Sequence, residues 1–135
     1  MVIHPHPPGE GDRFLPERAP IDSYGNGGFR FAGMSHQGSL LILANGMHAW
    51  RPQRFSDVTP DDFAVVVKAE HRPAFLLLGT GPEMHFPSAA LRRVFAEAGV
   101  TLEAMTTGAA VRTYNILLAE KRDVSAALLA VAAVR

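Results

Sequence analysis

The chain is 135 residues long and 47% apolar, with 13 basic and 13 acidic residues that leave a formal net charge of +0. That is one domain's worth of sequence with enough apolar material for a core, and its balanced charge removes the electrostatic case for nonspecific nucleic-acid binding. No cysteine is present, which excludes disulfides, thiol nucleophiles and cysteine-bound metal.

Residues 1–20 hold half of the ten prolines and show little periodicity, so they are expected to form an extended arm. Phe14 and Leu15 are its expected anchors, and the His4/His6 pair reads as a solvated tail rather than a metal site. No basic region followed by an apolar segment opens the chain, and residues 126–134 are too short to span a bilayer. The expected location is therefore the cytoplasm. Residues 21–135 are expected to form a single α/β domain.

Past the arm, Asn26-Gly27 between Tyr24 and the alternating Phe29 and Phe31 predicts a hairpin. Residues 33–38 read as a second, polar turn region. Residues 39–44 (SLLILA) are continuously apolar, as a strand covered on both faces would be. The turn pair Asn45-Gly46 ends it, and residues 47–50 give a short strand that Arg51-Pro52 stops. Thr59 then opens a helix as cap, with Pro60 at its first position and Asp61 and Asp62 complementing the dipole. Phe63, Val66 and Val67 form its buried stripe, and His71-Arg72-Pro73 closes it.

Residues 75–95 carry the strongest local pattern. Phe75, Leu76, Leu77 and Leu78 form an unbroken apolar run that Gly79 ends, the mark of a buried strand. Leu91, Val94, Phe95 and Ala98 follow at helical spacing, with Pro87 suited to the first turn and Gly99 to the position past the end. Residues 100–105 resume as a strand, so the unit predicts a parallel pair. A helix over about residues 108–120 is capped by Thr106 or Thr107, and Val111, Tyr114, Leu117 and Leu118 make its apolar face. For residues 124–134 the alanine content favours helix, while local alternation favours strand.

Several blocks then point one way: IDSYGNGGFRFAG, GSLLI, the single Trp50, LLLGTG, a proline-led helix, and TTGAAVRTYNILLAEKRDVSAALL at residues 106–129. Together they resemble the Mth-938-type domain family over roughly residues 21–131. The resemblance implies a three-layer α/β fold: a central mixed sheet of about five strands, flanking helices, and an extra β-hairpin layer. It also implies a strand over residues 124–129. Members of that family include a mitochondrial assembly factor for respiratory complex I and an adipogenesis-associated protein, which implies a non-enzymatic accessory role. The chain departs from the family pattern at Lys121, where glycine is common, and at residues 44–46, which replace a proline-containing turn.

Candidate chemistry is sparse. Gly79-Thr80-Gly81 follows a strand and precedes a helix, a setting in which backbone amides hold anions, but it is not a full dinucleotide fingerprint. Arg112 and Asn115, three apart on the following helix, could face the same notch, so Gly79, Thr80, Gly81, Arg112 and Asn115 are the candidate pocket. Equally, Asn115 could satisfy backbone groups and Arg112 could pair with a carboxylate. His36, His48, His71 and His85 lack metal-ligand spacing, and Ser39 and Ser88 lack a nucleophile elbow. No catalytic, cofactor or metal set is therefore assigned. Two functions follow: an accessory factor that binds other proteins, with the arm and Trp50 or Met47 as contacts, or a small-molecule or anion binder, or a weak enzyme, with its pocket at the Gly79 turn. A hairpin layer that pairs with itself would also give a homo-oligomer.

Overall fold

The computed structural model describes residues 13–132, so His4 and His6 lie outside the described residues. Leu76, Leu77 and Leu78 sit in a strand whose two faces meet different cores, which is why no polar residue interrupts the run. Numbered in chain order, the strands are β1 (Arg13–Leu15), β2 (Ser23–Gly25), β3 (Gly28–Phe31), β4 (Met34–Gln37), β5 (Ser39–Leu43), β6 (Gly46–Trp50), β7 (Phe75–Gly79), β8 (Thr101–Met105) and β9 (Ser125–Leu128). The helices are α1 (Ala64–Val67), α2 (Ala89–Ala98) and α3 (Thr107–Ala119), with 3-10 turns at Phe55–Asp57 and Pro60–Phe63.

Six strands form a mixed sheet in the order β1-β6-β5-β9-β7-β8, and β2-β3-β4 form a separate antiparallel sheet. β7 runs parallel to both β8 and β9, while β5 runs antiparallel to β6 and β9. Alternation along each central strand divides its side chains between the two faces. Leu40, Ile42, Leu77, Ala126 and Leu128 meet Phe29, Phe31, Val111 and Tyr114 on the face covered by α3 and the small sheet. Leu41, Leu43, Leu76, Leu78 and Ala127 meet Trp50, Phe63, Leu91 and Phe95 on the other. Each of these leucines contributes roughly 1.5–3 kcal/mol by leaving water.

The three-layer α/β architecture is the expected one, with β1 as a sixth strand. Arg13 and Leu15 pair with His48 and Met47 through an irregular register, and Phe14 packs on the His36 ring at 4.6 Å. The pairing needs Gly46, because a Cβ there would lie 1.8 Å from the Leu15 carbonyl oxygen. Farther along, Arg18 pairs with Asp123, and the Tyr114 hydroxyl donates to the Ala19 carbonyl at 2.8 Å. His71 also hydrogen-bonds Asp123, at 2.9 Å, and its bond with that of Arg18 holds the carboxyl below its usual range against the opposing effect of burial.

Three local expectations need correction. Residues 33–38 are not simply a turn: only Ala32 and Gly33, both at positive φ, make the bend, and Met34–Gln37 pairs with β3 as a strand. The helix after Thr59 is short, a 3-10 turn followed by four α residues. Its three consecutive valines restrict χ1, and among them only Val66 is buried. Pro87 precedes α2 rather than opening it, since the Ser88 hydroxyl caps the helix by accepting from the Leu91 amide. Residues 125–128 are the strand that the family resemblance implies, despite the helical propensity of alanine. β9 lies between β5 and β7 with every side chain buried, so tertiary pairing overrides propensity there.

Candidate functional site

The β7 strand ends at Gly79, where the start of α3 packs directly against it. A Cβ on Gly79 would lie 3.0 Å from both Thr107 Cα and Thr107 Oγ1, so glycine permits this approach. Thr107 is fully buried and ties three segments together. Its hydroxyl donates to the Leu129 carbonyl at 2.7 Å and accepts from the Gly81 amide at 3.0 Å, while its own amide donates to the Gly81 carbonyl. The Leu129 amide in turn donates to the Gly79 carbonyl.

Thr80 faces the other way along the same turn. Its amide donates to the Met105 carbonyl at the end of β8. Its hydroxyl donates to the Glu83 carbonyl at 2.7 Å, with the Met105 carbonyl at 3.2 Å, and accepts from the His85 amide at 3.1 Å. The amides of Thr80 and Gly81 are thus engaged inside the protein. They fix the path of the loop between β7 and α2.

Arg112 and Asn115 have different surroundings. Asn115 closes on the backbone of Ile21, with Oδ1 accepting from the Ile21 amide and Nδ2 donating to its carbonyl, both at 2.8 Å. This is the backbone-satisfying alternative noted for that residue. Arg112 is exposed on α3, and its guanidinium makes no hydrogen bond or ion pair among the described residues. Arg112 stands five residues beyond Thr107, about 7.5 Å along the helix axis and turned well away from it. The structure therefore brings Gly79, Thr80 and Gly81 together around Thr107 and sets the other two apart.

The loop held by Thr80 carries the most exposed large apolar side chain of the described residues. Phe86 is 83% exposed and Met84 43%. His85 between them is exposed and stacks on the half-buried Phe55 ring at 4.8 Å, which braces the loop against the segment before α1. Sequence reasoning missed Phe86. The available signal was its position: an aromatic residue between Gly81-Pro82 and Pro87-Ser88 belongs to neither the strand period nor the helical one. By contrast, the contact role expected of Trp50 and Met47 is corrected by burial. Met47 is fully buried, and Trp50, 7% exposed, packs on Phe63 and donates its indole N–H to the Asp62 carbonyl.

Two cavities lie away from this turn. A cavity of about 510 Å³ runs over the small sheet beside Tyr24, Phe29, Arg30, His36 and Gln37. Another of about 460 Å³ lies between the β5–β6 turn and the end of α1. None of the five candidate pocket residues lines either. His36 is buried and its Nε2 bonds the Ser39 carbonyl; burial pushes its pKa down, against the opposing effect of that bond. Among the described residues no three His, Asp or Glu side chains gather to hold a metal, and no helix is long and apolar enough to cross a membrane.

Strand order and layer arrangement define a three-layer Mth938-like domain. Residues 21–129 match the family described as protein of unknown function (DUF498/DUF598), and the chain belongs to that family. An uncharacterised protein of Rhodobacter capsulatus is 40% identical over 82% of this chain and 83% of its own length. The human protein called NADH dehydrogenase [ubiquinone] 1 alpha subcomplex assembly factor 3 is 28% identical over 81% of this chain, which spans 59% of that relative's length. Among solved structures, a Bartonella henselae protein described as an outer membrane protein superposes with a TM-score of 0.79 at 44% identity, covering 87% of this chain and 98% of its own. A Mth938-like domain of Bordetella pertussis gives 0.69 at 29% identity, covering 96% and 92%.

Proposed function

We propose that this protein is a non-enzymatic accessory factor that works by binding other proteins, and that it assists assembly of a multi-subunit NADH dehydrogenase. The observation that carries the reading is Phe86. An aromatic ring left 83% exposed on a loop fixed by Thr80 and by the Phe55–His85 stack is a preformed anchor for a partner. Likeness to an assembly factor supports the choice of partner class. We infer that the Gly79-Thr80-Gly81 turn serves as the mount of that anchor rather than as an anion cradle, because its amides already have acceptors.

The test is genetic complementation. The gene is removed from its native cell, and assembled NADH dehydrogenase is measured on native gels with wild type or Phe86→Ser restored. The expected result is less assembled enzyme without the gene, recovery with wild type, and no recovery with Phe86→Ser at equal protein level. An unchanged amount of assembled enzyme after removal of the gene overturns the reading.

A further inference from the structure

β8 ends the six-stranded sheet, and among the described residues nothing pairs with its outer edge. Which of its groups are open follows from two bonds at its ends. The Thr101 amide donates to the Ala74 carbonyl, and the Met105 carbonyl accepts from the Thr80 amide, so both residues turn their backbone toward β7. Backbone direction alternates along a strand, which aims Glu103 inward with them and aims the N–H and C=O of Leu102 and Ala104 outward. Those four groups have no partner among the described residues.

Side chains alternate too. Leu102 packs on the α2 side of the sheet and Met105 on the α3 side, so Ala104 shares the first face while Thr101 and Glu103 share the second. Glu103 is exposed at the centre of the strand and makes no ion pair among the described residues.

We propose that this edge receives an extended segment of a partner protein by strand addition, and that the segment carries a lysine or arginine opposite Glu103 between apolar neighbours. The inference rests on the reading of the chain as a protein-binding factor and deepens it by naming a surface and a partner chemistry. Charge selects this occupant over a second copy. An antiparallel self-pair engages all four open groups only in the register that sets Leu102 against Ala104 of the copy. That register places Glu103 directly opposite Glu103 of the copy, in the close, non-hydrogen-bonded type of pair, where like charges repel. A cation in the same place is attracted, and apolar side chains on the far face would meet Leu102 and Ala104. The loop bearing Phe86 is tied to the end of β8 through the Thr80–Met105 bond.

Amide hydrogen exchange on the full chain tests this with two synthetic alternating peptides that differ only in a central lysine or glutamate. The lysine peptide is expected to slow exchange at Leu102 and Ala104 by roughly tenfold, and the glutamate peptide to leave it unchanged. Glu103→Lys should reverse the preference, and Glu103→Gln, which preserves side-chain shape, should abolish the discrimination. No protection by either peptide, equal protection by both, or protection that grows with protein concentration alone overturns the proposal. If Phe86→Ser still fails to restore enzyme assembly in that event, the protein-binding reading stands and only the β8 site is lost.

Discussion

The side-chain amide of Asn115 closes on the backbone of Ile21, 2.8 Å from its amide nitrogen and 2.8 Å from its carbonyl oxygen. One asparagine on α3 thereby does for the chain entering the small sheet what a neighbouring strand would do. Beside it, Tyr114 holds Ala19, so two consecutive helical residues fix the path from β1 to β2.

Asn115→Ala should cost about 1–3 kcal/mol, because both backbone groups of Ile21 lose their partners in a half-buried setting. Asn115→Asp should recover only part of the loss, since a carboxylate accepts from the Ile21 amide but cannot donate to its carbonyl. Urea denaturation at neutral pH reads both, with the midpoint falling and the slope unchanged.

Thr107 tests the mount of the exposed loop. Thr107→Val keeps the volume but leaves the Gly81 amide and the Leu129 carbonyl unpaired in a fully buried position, at a cost of about 2–3 kcal/mol. Thr107→Ser retains both bonds and should lose less than about 1 kcal/mol. In the valine variant, exchange at Gly81 should rise well before global unfolding.

Lys121 occupies the left-handed region at φ 60, where the family resemblance expects glycine. The α3 terminus is closed there by two bonds, from Lys121 N to the Leu118 carbonyl and from Arg122 N to the Leu117 carbonyl. The geometry expected of glycine is therefore kept by a residue that is strained in it. Lys121→Gly should stabilise the fold by about 0.5–1 kcal/mol, read as a higher melting temperature.

Asp62 supplies an acid-sensitive contact. Burial pushes its pKa up, but hydrogen bonds from Arg51 and from the amide and hydroxyl of Thr59 outweigh this and hold it below its ordinary 3.8. A folded-state pKa below the unfolded one means that its contribution is fully present above about pH 4 and is lost as pH falls through the lowered value. Asp62→Asn should cost about 1–2 kcal/mol near neutral pH. The difference from wild type should shrink progressively in acid melts below pH 4.

The continuous runs at β5 and β7 were legible because both faces are covered and a glycine-containing turn bounds each run. Asn26 and Gly27 have the positive φ values that the hairpin signal implies, and Thr106 caps α3 as its position suggests. β4 was hidden because Met34-Ser35-His36-Gln37 has no strand-like apolarity and depends on pairing with β3. β9 was hidden by its alanines on propensity and found only through family likeness. At the candidate site, the strand–turn–helix frame was readable, but the destinations of its amides were not. Thr107 and Asn115 meet partners that are 22 and 94 residues away, and no local pattern encodes such contacts.

The central claim is that the protein works through the loop that presents Phe86. The most direct measurement is the amount of assembled NADH dehydrogenase, on native gels, in cells that carry Phe86→Ser or Arg112→Ala as their sole copy. The account predicts loss of assembled enzyme with Phe86→Ser, whose melting temperature matches wild type, and wild-type levels with Arg112→Ala. Full assembly with Phe86→Ser and loss with Arg112→Ala would contradict it.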